Sequence, residues 1–164
     1  MQYNCARNTV NIHTYLEIGL EWNIDFILIQ EPWIAQDNIY IISHTAYHTI
    51  LLKFCDVRPR VAVFVKKDLI YQFCYRSDLC KDSDIIILDI LNSEIPDFQI
   101  INIYNEKSLK ENCNDWTLNK ILPHIKSQKY LIICGDFNAH HLWWNLDVSN
   151  SIRANELVQW LNRY

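Results

Sequence analysis

The sequence has 164 residues, of which 50% are hydrophobic and 13% aromatic, and its formal net charge is −4. The length suits one domain with its own core and excludes two large domains, and the composition excludes a disordered chain. Because a dedicated DNA-binding module is usually strongly basic, the charge argues against tight nonspecific DNA binding. Carboxylates clustered around a metal would also lower the charge, so a nuclease is not excluded.

The sequence gives no sign of export or membrane insertion. The segment Met1–Asn8 lacks an apolar signal core, and the longest apolar stretch, Ile85 to Leu91, is interrupted by Asp89 and is too short to span a bilayer. The 6 cysteines form no Cys-x-x-Cys pair, which favours reduced thiols. We therefore expect an intracellular protein, nuclear or cytoplasmic, with no membrane partner.

The chain begins with patterns for a short strand and a helix. Tyr3 to Cys5 predicts the strand, and Asn8 or Thr9 can cap a helix that runs to about Trp22. The apolar side of this helix is predicted to carry Val10, Tyr15 or Leu16, and Leu20.

A buried strand and an ambiguous region follow. Asp25–Gln30 is a continuous apolar run, typical of a strand buried on both faces, and Pro32 ends it. Residues 35–56 give no clear pattern, although Ile39–Ile42 has the composition of a short strand.

Two pairs of strand-like segments occupy the middle of the chain. Arg60–Lys66 and Leu69–Tyr75 are predicted to form a hairpin through a turn at Lys66–Asp68. Ile85–Ile90 and Phe98–Tyr104 are predicted to pair around Asn92–Glu94. The basic group at Arg58, Arg60, Lys66 and Lys67 is either a solvated strand end or a track for DNA phosphates.

The last third predicts a helix, a strand and a second helix. These are placed at about Asn114 to Lys126, at Tyr130–Cys134 as a buried strand, and from a cap at Asn150 or Ser151 to the C-terminus. The last helix should turn Leu157, Trp160 and Leu161 inward. Many strands with few helices predict an α+β or layered α/β fold.

Polar residues follow several predicted strands. Gly135 allows a sharp exit from a strand, after which Asp136 and Asn138 point to one side, so that a carboxylate can activate water while an amide holds a phosphate oxygen. Glu31 closes another buried strand, where a carboxylate is costly unless it is paired or binds a metal. Tyr104 and Asn4 end two more strands. Taken singly, each has a plainer reading: a turn, a surface carboxylate or a core tyrosine.

Taken in order, these strand ends resemble the endonuclease/exonuclease/phosphatase family, and most closely the apurinic/apyrimidinic-like endonuclease domain of non-LTR retrotransposons. The resemblance runs from the first strand to the last helix. The motifs that carry it are Gln2-Tyr3-Asn4, Gln30-Glu31-Pro32-Trp33, Asn102-Ile103-Tyr104-Asn105 and Gly135-Asp136-Phe137-Asn138-Ala139-His140-His141, together with Arg58-Pro59-Arg60-Val61 before a strand.

The resemblance implies a four-layer α/β sandwich and hydrolysis of a DNA phosphodiester with Mg²⁺ or Mn²⁺ and no small-molecule cofactor. It implies that Glu31 binds the metal and Asn4 helps to orient the metal site. Tyr104 would contact the scissile phosphate or its leaving group, Asp136 would align or activate the attacking water, and Asn138 would hold the phosphate. In the parent element, a reverse transcriptase domain would be the partner, and the nick would prime reverse transcription.

One departure from the family pattern concerns its closing Ser-Asp-His motif. Ser77-Asp78-Leu79 and Ser83-Asp84-Ile85 lack the histidine and come too early, whereas His140 and His141 match a different family position. We expect the two histidines to pack under the active-site loop, and Trp143 and Trp144 to anchor it rather than stack on DNA. Residues 1–164 are thus expected to form a single, incomplete domain that is weak or inactive as a nuclease. The alternative is a non-catalytic remnant or an interaction protein.

Overall fold

The structure is a computed structural model that describes residues 1–35, 40–52, 57–92, 94–106 and 130–162. Within these ranges no helix is long and apolar enough to cross a membrane. The helices and strands, in chain order, are β1 (Gln2–Asn4), α1 (Thr9–Glu21), β2 (Phe26–Gln30), β3 (Tyr47–Ile50), β4 (Val61–Lys66), β5 (Gln72–Tyr75), β6 (Ile85–Leu91), β7 (Phe98–Tyr104), β8 (Tyr130–Asp136) and α2 (Ile152–Leu161).

The strands form two four-stranded sheets, which we call sheet A and sheet B. Sheet A has the order β1-β2-β4-β3, and sheet B has the order β5-β6-β7-β8. Each sheet contains one parallel pair, β1 with β2 and β7 with β8, while the remaining neighbours are antiparallel. In both sheets the parallel pair includes an edge strand, so β1 and β8 are the outer members.

The two sheets pack face to face and carry a helix on each outer face. An apolar core between the sheets joins Leu28, Val63 and Val65 of sheet A to Leu88 and Ile90 of sheet B. A second core lies between sheet A and α1, and a third between sheet B and α2. This is the predicted four-layer α/β sandwich, and the fold prediction is confirmed.

Helix α1 begins at the predicted place but presents a different face. The Asn8 side chain caps it by accepting a 2.8 Å hydrogen bond from the Val10 amide. The buried positions are Ile12, Leu16 and Gly19, whereas Val10 is 67% exposed. The prediction that Val10 lies inward was wrong because Ile12 takes that role, four residues before Leu16 on the same helical face.

The predicted hairpin between Arg60–Lys66 and Leu69–Tyr75 does not form. The segment after Lys66 crosses to the other sheet, where β5 pairs with β6. Strand β4 instead lies between β2 and β3, with Val63 opposite both Leu28 and Ile50. An apolar strand buried on both faces needs a neighbour on each edge. Two strands from earlier in the sequence fill those places. The second predicted pair, β6 with β7, is confirmed.

The region before β4 contains a strand that the sequence pattern did not indicate. Residues Tyr40–Ile42 are not in a strand, and β3 begins only at Tyr47. Buried Tyr47 donates a hydrogen bond from its hydroxyl to the carbonyl of Ile24, 3.1 Å away. The predicted helix from about Asn114 to Lys126 lies outside the described residues.

The last strand is less buried than its apolar sequence predicted. Tyr130 is 69% exposed and Ile132 47% exposed, because β8 lies at the edge of sheet B. Helix α2 covers the opposite face of the strand. Its cap is Ser151, whose hydroxyl oxygen accepts from the Ala154 amide, and it buries Leu157 as predicted. Trp160 packs against the same core, but Leu161 is half exposed.

Candidate active site

The two parallel strand pairs bring the carboxyl ends of four strands to one rim. In sheet A, Asn4 of β1 is paired with Gln30 of β2, so Glu31 follows beside it. In sheet B, Tyr104 of β7 is paired with Asp136 of β8. Because the sheets face each other, the structure brings together the side chains that the sequence singled out, in two hydrogen-bonded groups.

The first group is centred on the Asp136 carboxylate. Its Oδ2 accepts a 2.9 Å hydrogen bond from the Asn4 side-chain amide, which crosses from sheet A to sheet B. Its Oδ1 accepts from the main-chain amide of Asn138 at 3.0 Å. The Asn138 side chain in turn donates to the Asn105 carbonyl at 2.7 Å. Asn4, Asp136 and Asn138 are therefore connected directly, and Asn105 ties the group to the end of β7.

Gly135 is required for the path of the chain into this group. Its φ is +154°, and a Cβ at this position would lie 2.0 Å from the carbonyl oxygen of Ile103 on β7. Two residues after Asp136, Asn138 has a φ of +46°, in the left-handed region that Asn tolerates better than most residues. The Gly-Asp-Phe-Asn sequence thus makes a close approach to β7 and then a sharp exit from β8.

The second group is centred on Glu31. Its Oε1 accepts a 2.8 Å hydrogen bond from the Tyr104 hydroxyl, and its Oε2 lies 3.6 Å from Nε of Arg7. Glu31 has a φ of +46°, which costs a residue of this kind about 1–3 kcal/mol. The Arg60 carbonyl and the main-chain amide of Arg7 hold the Glu31 backbone through 2.8 Å hydrogen bonds. The strained backbone turns the carboxylate out of β2 toward Tyr104.

Tyr104 keeps its proton over the ordinary pH range. Burial, followed by the hydrogen bond to the Glu31 carboxylate, raises the pKa of the Tyr104 phenol to about 12. The nearby charge of Asp136 acts in the same direction, while that of Arg60 opposes it. Tyr104 is therefore a hydrogen-bond donor. It lies close enough to both groups for the charges of Glu31 and Asp136 to raise its pKa.

A buried polar contact sets how the two sheets face each other. Asn102 of β7 is fully buried, and its side-chain amide donates to the carbonyls of Ile29 and Ala62 in sheet A at 3.1 and 3.0 Å. The Gln30 side chain donates to Asn102 Oδ1 at 2.5 Å. Because Asn102 and Tyr104 are two residues apart on β7, this contact fixes the position of Tyr104 relative to Glu31.

Arg60 joins the site, although the sequence pattern assigned it no such place. Its guanidinium lies 5.1 Å from the centre of the Tyr104 ring and forms ion pairs with Asp84 and Glu106. With a side chain that is 20% exposed and paired with two carboxylates, Arg60 is not a solvated strand end. Asp84 belongs to the early Ser-Asp sequence, and its contact with Arg60 identifies it as an ion-pair partner. In the sequence, Arg60 was indicated only by its place in the motif Arg58-Pro59-Arg60-Val61.

An open groove of about 820 Å³ runs from the Asp136 group along β8 and α2. His140 and Trp144 lie on its wall with apolar residues of β8 and α2. His141 is buried and packs against Trp143 and Trp144, so the prediction of a packing role is confirmed for His141 but wrong for exposed His140. Trp144 anchors the loop by donating from its ring nitrogen to the Ala139 carbonyl at 3.0 Å, whereas Trp143 is 65% exposed.

The donor set at the rim suits a hard divalent cation with few protein ligands. Mg²⁺ usually binds through one or two carboxylates plus substrate phosphate oxygens and water. The Glu31 side chain is 23% exposed, and one of its oxygens accepts a short hydrogen bond from the described part of the chain, so it fits this pattern. In the described part of the chain, no three His, Cys, Asp or Glu residues are grouped as a complete metal cage.

Comparisons with known proteins support the resemblance seen in the sequence. A protein-family model described as "Endonuclease-reverse transcriptase" matches residues 98–164. The endonuclease domain of TRAS1, a telomere-specific non-LTR retrotransposon, superposes with a TM-score of 0.72 at 16% sequence identity, covering 99% of this chain and 68% of that one. A search of curated proteins gave no match. The resemblance is confirmed for the fold across the chain and for the family over residues 98–164.

Proposed function

We propose, on the premise that this chain has the fold of a retrotransposon endonuclease, that it is a metal-dependent phosphodiesterase whose substrate is DNA. In a parent element, its nick in the target would prime reverse transcription by an associated reverse transcriptase domain. The observation that carries the proposal is the meeting of the Asp136 group and the Glu31 group at one rim. A carboxylate that can hold a divalent cation and a second carboxylate that can align a water support metal-assisted phosphodiester hydrolysis.

The Glu31 group would form the metal side of the site. Glu31 would hold Mg²⁺ or Mn²⁺, and Asn4 would help to orient the metal site through its contact with Asp136. When bound, the metal supplies positive charge that offsets the charge developing on the phosphoryl oxygens. The Tyr104 hydroxyl, which its raised pKa keeps protonated, would contact the scissile phosphate or its leaving group by turning its one hydrogen from Glu31 Oε1 to a phosphate oxygen. Arg7, with a side chain that is 58% exposed beside Glu31, is a cation at the same rim.

The Asp136 group would form the water side of the site. Among the described residues, each Asp136 oxygen accepts one hydrogen bond, which leaves it a second lone pair that can accept a hydrogen from a water and align it for attack. The Asn138 side chain donates one of its two N–H groups to Asn105, and the second would hold a phosphate oxygen. The general-base role of Asp136 is typically worth about 10²–10⁴-fold in rate.

Plasmid nicking tests this proposal. The sequence contains no Ser-Asp-His motif. We therefore expect the 164 residues alone to convert supercoiled plasmid to open circle slowly, and only with Mg²⁺ or Mn²⁺. Glu31→Gln should lower this rate by on the order of 100-fold or more. The matched control is Glu21→Gln at the exposed end of α1. Nicking that persists in a chelator, or that Glu31→Gln leaves unchanged, would contradict the proposal.

The second candidate is a non-catalytic protein that binds a partner through its open edge. The observation that favours it is the exposure of Tyr130 and Ile132 on edge strand β8. An apolar edge strand is a template for strand addition. Complete absence of metal-dependent nicking, even at stoichiometric protein, would favour this candidate over the nuclease.

A further inference from the structure

Arg60 contacts Tyr104 through its side chain and Glu31 through its main chain. The guanidinium carbon lies 5.1 Å from the Tyr104 ring centre, inside the range of about 6 Å for a cation–π contact. The Arg60 carbonyl accepts a 2.8 Å hydrogen bond from the Glu31 amide. One residue therefore touches both members of the pair that would form the metal side of the site.

The guanidinium is held in place by two carboxylates. Its Nε and Nη2 donate to the two oxygens of Asp84, which is only 4% exposed, and its Nη1 lies 2.7 Å from Glu106. This fork matches the planar shape of Arg and cannot be reproduced by Lys. The Asp84 carbonyl also accepts a 2.9 Å hydrogen bond from the Tyr104 amide. Asp84 therefore binds the Arg60 side chain and the Tyr104 main chain at once.

We propose that Arg60 is a positioning residue that fixes the Tyr104 ring and, through the Tyr104 hydroxyl, the direction of the Glu31 carboxylate. The role of Glu31 as a metal ligand rests on the function proposed above, but the position of Tyr104 does not. Removing the guanidinium should free the ring and weaken the hydrogen bond between Tyr104 and Glu31. Partners behind a metal ligand commonly change metal affinity by about 10–100-fold.

The chain offers a matched control at Arg76. Its Nε and Nη2 bind the two oxygens of Asp78 at 2.9 and 2.8 Å, and its Nη1 binds Asp89 at 2.5 Å. This is the same fork-and-second-carboxylate arrangement, but it follows edge strand β5 and is separated from Tyr104 by strand β6. Arg76→Gln therefore removes an equivalent set of ion pairs without touching the ring.

The first measurement is independent of any metal or nuclease activity. In protein labelled with 3-fluorotyrosine, the Tyr104 resonance is assigned as the one missing from Tyr104→Phe. Arg60→Gln should shift this resonance, Arg60→Lys should restore it only in part, and Arg76→Gln should leave it in place. An unchanged Tyr104 resonance in folded Arg60→Gln would overturn the proposal, whatever the nuclease assays show.

The second measurement asks whether Arg60 acts through Tyr104 on metal binding. Binding of Mn²⁺, followed by the electron paramagnetic resonance of the free ion, should weaken by about 10-fold in both Arg60→Gln and Tyr104→Phe. The double variant should be no weaker than either single variant, because both remove the same orientation of Glu31. A double variant weakened by the product of the two factors would mean that Arg60 acts independently of Tyr104. Absence of Mn²⁺ binding in the unsubstituted protein would count against the proposed function, while the fluorine measurement would still decide the role of Arg60.

Discussion

The two groups of the candidate site stand on different parts of the fold. Glu31 and Tyr104 end β2 and β7, which have neighbours on both edges, whereas Asn4 and Asp136 end the edge strands β1 and β8. The Glu31 group is surrounded by the core between the sheets, the buried Asn102 contact and the Arg60 ion pairs. The Asp136 group borders an open groove. The half of the site that is built on the internal strands is therefore fixed by its neighbours. The position of the other half depends on how firmly β8 is attached to sheet B.

Gly135→Ala should have the largest effect on stability, and it should disrupt the half of the site that is built on the edge strands. The new Cβ would lie 2.0 Å from the Ile103 carbonyl oxygen, at a backbone φ of +154°. Because neither the main chain of β7 nor that of β8 can move far, we expect a loss of about 3 kcal/mol or more in the free energy of unfolding. Chemical denaturation measures it. A loss below about 1 kcal/mol would mean that β8 is already loosely attached.

Asn102→Leu should damage the half of the site that is built on internal strands. It removes hydrogen bonds to two carbonyls of sheet A and leaves the buried Gln30 side chain without its acceptor. An unsatisfied buried polar group costs about 1–3 kcal/mol, so the free energy of unfolding should fall by about 2 kcal/mol. Stability unchanged within error would show that the sheets are aligned by apolar packing alone.

The same pairing of β7 with β8 provides a matched test of burial. Ile100 and Ile132 are register partners on one face, yet Ile100 is 4% exposed and Ile132 is 47% exposed. Ile100→Thr should lower the free energy of unfolding by about 2 kcal/mol because it buries a hydroxyl and removes a buried methylene. Ile132→Thr should change it by less than about 0.5 kcal/mol.

The exposed side of β8 also predicts how the isolated chain behaves in solution. We expect it to bind a hydrophobic dye before unfolding and to be prone to aggregation, and Ile132→Thr should reduce both effects. Equal costs in stability for the two threonine variants, or no dye binding at all, would show that β8 is covered in solution.

Tyr104→Phe should have a smaller effect on stability at neutral pH than Ile100→Thr. It removes one hydrogen bond to a carboxylate, worth about 1 kcal/mol. The pKa of Tyr104 is raised from 10.0 to about 12, so its contribution is complete below pH 10 and is lost as pH rises through 12. The difference in unfolding free energy between wild type and Tyr104→Phe should therefore shrink over this range. A constant difference would contradict the donor role of Tyr104.

The sequence predicted where strands end better than it predicted which strands lie next to each other. Glu31, Tyr104 and Asp136 each stand at or directly after the end of a strand, and local patterns set where a strand stops. The hairpin after Arg60–Lys66 was predicted from the same kind of pattern and was wrong, since β4 takes its partners from earlier in the chain. Which strands become neighbours depends on the burial of whole faces, which no local segment encodes.

For the same reason, local sequence patterns could not predict two further features of the structure. Arg60 and Asp84 are 24 residues apart, and the contact between them exists only once the two sheets have packed. The exposure of Ile132 likewise depends on what lies opposite β8. Its apolar composition predicted burial, but β1, the outer strand of sheet A, has only 3 residues. Both outcomes are properties of packed sheets.

The central claim is that the Glu31 group and the Asp136 group form one metal site. Selective broadening by Mn²⁺ in ¹⁵N-labelled protein tests this most directly, because a paramagnetic ion broadens the resonances of nearby groups. We predict early broadening of the side-chain amides of Asn4 and Asn138, with that of Gln99, five residues before Tyr104 on β7, unaffected. Glu31→Gln should abolish the selectivity. Broadening centred elsewhere, or confined to one of the two groups, would contradict the claim.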